Sequence, residues 1–262
     1  MSELKMDTPE LLLDRIRSFN RKERHHLIAN AVGGPLTLTA PFAEQVHRAV
    51  SASDWHRRNS GPIPSAEHLL SSAYVCMDYH LDWLAAAIAL PGFDPRSCNS
   101  ELPKGLSNQS PNGSAPIIRG NQEDADLLIA TVWNDQLWLI LIEAKFDSGW
   151  SWSQLRSKLA RLNQLFPTPK ATVACPALLL ADQRPSPDGR KFVRWAINST
   201  RPSEEELPYW CAITPAADEL CMPGITIHAE DRMQPLLRPS RHAGSGAGAM
   251  KWKLVRPQAR NN

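Results

Sequence analysis

The chain has no run of the ~18 apolar residues that a membrane-spanning helix needs. Its first residues, Met1 to Asp7, carry none of the apolar core of a secretion signal. Both absences lead to the expectation of a cytoplasmic protein with no membrane partner. Cysteine is sparse, with five residues at 76, 98, 175, 211 and 221 and no Cys-x-x-Cys. An odd number without close spacing argues against a disulfide framework or a structural zinc site. Asn112-Gly-Ser and Asn198-Ser-Thr fit the glycosylation pattern, which has no consequence in the cytoplasm. No internal repeat is visible. Acid is absent from the C-terminal end: from Arg232 onward there are seven Arg or Lys and no Asp or Glu.

The 262 residues, 42% hydrophobic and 21% charged, suit one globular domain with additions, or two small ones. The net charge of +2 conceals an asymmetry, because positions 1–231 hold 22 basic and 27 acidic residues. A basic tail on a mildly acidic body either neutralises phosphates of a nucleic acid or is a solvated end.

Apolar periodicity predicts a helix over 9–31, stopped by Gly33-Gly34-Pro35, and a second from Pro41 to about Ser51. After a break at Ser60-Gly-Pro-Ile-Pro, Leu69, Leu70, Ala73, Met77, Leu81 and Leu84 predict one long helix from Ser65 to about Leu90. Asp78 and Asp82 would share its face. Residues 91–122 read as a long loop with a short strand near 116–119. Two strands follow, about 124–133 and 137–145, joined by a hairpin at Asn134-Asp135. A helix is expected over 152–166, with Ser151 and Gln154 in a capping box. Thr172 to Leu180 reads as a buried strand, where Pro176 argues for an edge or a bulge. Short strands are expected at 191–197, 209–214 and 225–228. Residues 238–250 are low in complexity, with a flexible linker at Gly244–Gly248, and Lys251–Val255 reads either as part of a mobile tail or as a short strand.

The chemistry concentrates at Asp126-Leu-Leu-Ile-Ala and Leu139-Ile-Leu-Ile-Glu143-Ala-Lys145. Residues two apart share a strand face, so Glu143 and Lys145 point the same way. Trp138 to Ile142 has the continuous apolar character of a strand buried on both faces. Charges at the end of such a strand are costly unless paired or bound to a metal, and a divalent cation is the natural partner of two carboxylates.

The order is helix, strand with Asp126, strand with Glu143-Ala-Lys145, helix with Gln154 and Lys158, strand. In this it resembles the PD-(D/E)xK nuclease superfamily over roughly residues 65–181. Ala125 stands where the motif has proline. The resemblance implies an α/β fold, with a restriction-endonuclease-like core, a mixed central β-sheet flanked by helices, and an N-terminal helical extension. With the charge asymmetry and the breaks along the chain, the expected division is a helical region over 1–60, a core over 61–235 and a basic tail over 236–262. The resemblance also implies Mg²⁺, with Mn²⁺ as a substitute, held by Asp126, Glu143 and the Ala144 carbonyl. Asp82, Asp78 or Glu67 would complete the shell; Asp124, two residues before Asp126, competes with it as ligand. Lys145 would position or deprotonate the attacking water, and Gln154 and Lys158 would contact water or phosphate. Trp150 and Trp152 are candidates for base stacking, packing being their commoner role. His25, His26 and His80 lack partners at metal spacing. The implied activity is phosphodiester hydrolysis of nucleic acid, DNA foremost, in bacterial restriction or phage defence, by a homodimer or a component of a larger defence complex. A catalytically silent nucleic-acid-binding or scaffolding protein on the same fold is the alternative, and another metal-dependent hydrolase a third.

Overall fold

The structure is a computed structural model. It describes residues 7–20, 22–53, 56, 60–89, 120, 123–145, 152–166, 173–182, 190–194, 212–213, 219–227, 238–243 and 250–255.

Helix α1 (Pro9–Phe19) starts where Thr8 accepts a hydrogen bond from the Leu11 N–H, with Pro9 in its first turn. It buries Leu12, Leu13 and Ile16. The expected helix over 9–31 is two helices, with α2 at Glu23–Ala31. Asn20 breaks it: its backbone is extended, its side-chain oxygen accepts from the Lys22 N–H at 3.3 Å, and its amide donates to the Tyr74 hydroxyl at 2.9 Å. A short amide side chain here competes with the helical backbone. The apolar residues that suggested a continuous stripe are exposed on α2, Leu27 at 69% and Ile28 at 37%. Helix α3 (Ala40–Ser51) matches expectation and buries Ala43, Val46, Ala49 and Val50.

The long helix over 65–90 is corrected to three elements. These are α4 (Ala66–Ser72), strand β1 (Tyr74–His80) and α5 (Leu81–Ala89). The helical spacing of apolar residues was genuine, but Tyr74-Val75-Cys76 is also strand-forming, and an available partner strand decides between them. Strand β1 pairs antiparallel with β2 (Asp124–Trp133), from Tyr74↔Ala130 to His80↔Asp124. Asp78 takes a left-handed backbone, φ +51°, and drops out of the ladder at the level of Asp126. Aspartate is among the few residues that tolerate this region.

Strand β2 turns into β3 (Gln136–Ala144) through Asn134 and Asp135, with φ of +49° and +58°. Two left-handed central residues make the tight turn whose twist suits a hairpin. Helix α6 (Trp152–Leu165) crosses back, burying Leu155, Leu159 and Leu162, and β4 (Ala174–Asp182) pairs parallel to β3. Pro176 lies where β4, although an inner strand of the sheet, is locally an edge, as the proline suggested. Strand β4 lies between β3 and β7 (Glu219–Thr226), but β7 joins it only from Leu180 to Asp182. At Pro176 the missing N–H therefore costs no rung on that side, and its carbonyl accepts from His56. Strands β5 (Arg190–Arg194) and β6 (Ala212–Ile213) pair antiparallel with β7.

The result is a mixed α/β sheet in the order β1-β2-β3-β4-β7, flanked by helices. On one face Tyr79 donates to the Ile16 carbonyl of α1 at 3.0 Å, and the His56 ring lies 5.9 Å from that of Trp138. Helix α6 covers the other face, where Glu143 lies. In the basic segment, β8 (Arg238–Ala243) and β9 (Met250–Val255) form a two-stranded antiparallel sheet, so Lys251–Val255 takes the strand form. Ser151, nearly all of the 91–122 loop, including its 116–119 strand, and the linker lie outside the described residues. Among the described residues no helix is long and apolar enough to cross a membrane.

Candidate functional site

Strands β2 and β3 are paired as far as Leu127↔Ile142. One more step of that register sets Asp126 across from Glu143, and two more set Asp124 across from Lys145. Opposed residues share a sheet face. A tight hairpin of fixed register thus brings together the charged ends of two strands, one entering and one leaving the core.

Glu143 is buried. Its Oε1 accepts from Lys145 Nζ at 3.0 Å, and its Oε2 from Lys158 Nζ. Lys158 is buried too and also donates to the Asp124 carbonyl, so α6 is bolted to both strands by one ammonium group. Asp126 is more exposed, and its Oδ2 accepts the Ala144 N–H at 2.6 Å. Partial burial raises its carboxyl above the ordinary carboxylate range and the Glu143 charge adds to this, while the Ala144 N–H, Lys158 and Lys145 oppose it. The two acids therefore repel each other across a gap of one strand spacing.

Asp124 faces a different set of partners. Lys22, between α1 and α2, reaches its Oδ2 at 2.6 Å, and His80 Nε2 stands 3.9 Å from Oδ1. Asp82, in the first turn of α5, is buried and turned elsewhere. Its Oδ1 pairs with the fully buried Arg161 of α6, and its Oδ2 accepts the Gly120 N–H at 2.7 Å. Asp78 pairs with Arg24 at 2.9 Å. Glu67 is exposed on α4, and Gln154 is exposed one turn before Lys158. Trp150 and the side chain of Trp152 lie outside the described residues.

The structure thus unites Asp126, Glu143, Ala144 and Lys145, as expected from the hairpin, and gives Lys158 the position next to Glu143. Lys22, His80 and Arg161 carried no sequence signal of their places, because each acts across a separation that only the fold closes. Asp182 ends β4 buried, one register step past Ala144↔Ala181 and so across from Lys145. That the buried run extends past Leu180 was the available hint.

Among the described residues no three His, Cys, Asp or Glu side chains gather as a dedicated metal cage. Mg²⁺ does not need one. It commonly binds through one or two carboxylates and completes its shell with water and substrate phosphate. Asp126 and Glu143, hard oxygen donors that repel each other, fit that requirement. Compared with known proteins, the chain matches no family model, no curated protein and no solved structure.

Proposed function

We propose that the protein is a divalent-metal-dependent nuclease of the PD-(D/E)xK type, cleaving nucleic-acid phosphodiester bonds, with DNA as the first substrate to test. The observation that carries the reading is the juxtaposition of Asp126 and Glu143 across the β2–β3 hairpin, with two lysines on Glu143. The order β1, β2, β3, α6, β4 around this pair also suits the restriction-endonuclease-like core.

A bound Mg²⁺ would supply a water of lowered pKa and charge neutralisation at phosphorus. The chain's own part is to hold and orient. Asp126 and Glu143 would be the ligands, the first oriented by the Ala144 N–H, the second paired with Lys158 in the metal-free protein. Lys145, partly exposed beside Glu143, is placed to orient the attacking water and to offset charge growing on the phosphate. Gln154, exposed one helical turn from Lys158, contacts the phosphate backbone. A role in bacterial restriction or phage defence follows from the family resemblance alone.

One observation favours a silent nucleic-acid-binding protein instead. Lys22 pairs with Asp124, and Lys145 and Lys158 both pair with Glu143, so three ammonium groups already stand among the three carboxylates. Both readings are tested by incubating the protein with duplex DNA, single-stranded DNA and RNA in Mg²⁺, Mn²⁺ or EDTA. Cleavage that requires the metal and is lost in Glu143→Gln, with the circular dichroism spectrum kept, supports the nuclease. Cleavage undiminished in EDTA or in the variant refutes it, and binding without turnover establishes the alternative.

A further inference from the structure

We propose that Lys158 is a built-in competitor for the metal, an internal cation that metal must displace from Glu143. The inference rests on the metal-site reading above and extends it to a residue of α6. Lys158 is buried, and its ammonium touches two oxygens that belong to different strands: Glu143 Oε2 at the end of β3 and the Asp124 carbonyl at the start of β2. The other oxygen of Glu143 is held by Lys145. Any cation that takes Glu143 as ligand must therefore share or displace an ammonium group. Lys145 has a way out, being partly exposed next to the strand end, whereas Lys158 is buried. Asp126 lies beside the same carboxylate and makes no hydrogen bond to either lysine in this arrangement. The two acids thus receive unequal compensation, and a divalent cation bridging them would compensate both.

The consequence separates competition from support. If Lys158 only held Glu143 in place, removing its charge would loosen the ligand and weaken metal binding. If it competes, removing the charge strengthens binding. Opposite signs follow from one substitution, and neither depends on turnover.

The test is isothermal titration of Mn²⁺ into full-length wild type, Lys158→Met and Lys158→Gln. Methionine keeps the length of the stem, and glutamine keeps a donor for the Asp124 carbonyl. The expected result is that both variants bind Mn²⁺ about tenfold more tightly than wild type. They should also gain more in melting temperature when Mn²⁺ is added. A variant that folds only in the presence of Mn²⁺ equally supports the inference. Affinity equal to or weaker than wild type in the variants overturns it while leaving the metal reading in place. So does tighter binding that persists in a Lys158→Met, Glu143→Gln double variant, and so does a failure of both single variants to fold in Mn²⁺. If no protein of the set binds Mn²⁺, this inference and the metal reading fall together.

Discussion

The backbone N–H of Ala144 donates to Asp126 Oδ2 at 2.6 Å, so the residue between Glu143 and Lys145 is tied to the acid on the neighbouring strand. Backbone pairing of β2 with β3 ends at Leu127↔Ile142, and beyond it a carboxylate takes the place of a backbone carbonyl as acceptor. This leaves Asp126 oriented without being enclosed. Asp124, by contrast, is claimed by Lys22.

The two aspartates are therefore separable. Asp126→Asn keeps an acceptor for the Ala144 N–H and removes only the charge. It should weaken Mn²⁺ binding about a hundredfold or more, whereas Asp124→Asn should bind close to wild type. Calorimetric titration of both variants checks this, and the reverse ranking would transfer the ligand role to Asp124.

Lys145 acts on the reacting water and phosphate in the proposed chemistry. Lys145→Ala should lower kcat by about 10²–10⁴ with little change in KM. Steady-state kinetics on a DNA substrate decide the matter. A raised KM at unchanged kcat would reduce Lys145 to a phosphate anchor.

Asp82 was expected as a metal ligand, and its partners predict something else. It pairs with the fully buried Arg161 and accepts the Gly120 N–H. Asp82→Asn removes one half of a buried ion pair and should cost about 3 kcal/mol in urea denaturation. Its affinity for Mn²⁺ should be unaltered where the protein is folded. Lost metal binding at unchanged stability would restore the ligand role.

How much of this was legible depended on the range over which the information acts. The hairpin at Asn134-Asp135 and the buried run to Glu143 are local, and both could be read from residue types and period. The segment around Asp78 could not. Its apolar spacing fits a helix, and only the presence of β2 as a partner makes Tyr74–His80 a strand. With that went the helical placement of Asp78 and Asp82 on one face. The Lys22–Asp124 pair and the Arg161–Asp82 pair join residues far apart in sequence, where no periodicity points from one to the other.

The hairpin supplies a prediction independent of function. Asp135 holds φ +58° at the second turn position, where glycine carries no steric penalty. Asp135→Gly should therefore raise stability by about 0.5–1 kcal/mol, read as a higher urea midpoint at unchanged slope. A lower midpoint would mean that the Asp135 side chain contributes more than its backbone strain costs.

His56 provides the pH dependence. It is buried, its Nε2 faces the Pro176 carbonyl at 2.9 Å, and its Nδ1 lies 2.8 Å from Ser53 Oγ. A carbonyl can only accept, so Nε2 carries the proton and Nδ1 accepts from the serine hydroxyl. Burial lowers the pKa from 6.5 to about 4, and the Pro176 hydrogen bond offsets only part of this. The folded state thus keeps the imidazole neutral where the unfolded chain protonates it. The stability contributed is fully present above pH 6.5 and is lost as pH falls from there to about 4. Each pH unit inside that window should cost up to about 1.4 kcal/mol, and the whole about 3 kcal/mol. The raised carboxyl of Asp126 acts with the opposite sign, since a carboxyl held above its ordinary value favours folding in acid. The reading is therefore the difference between wild type and His56→Gln from pH 6.5 to about 5, in which the Asp126 contribution, common to both proteins, cancels. Urea denaturation across that interval should show a slope in wild type that is much reduced in His56→Gln. Equal slopes in the two proteins would locate the acid sensitivity in other groups.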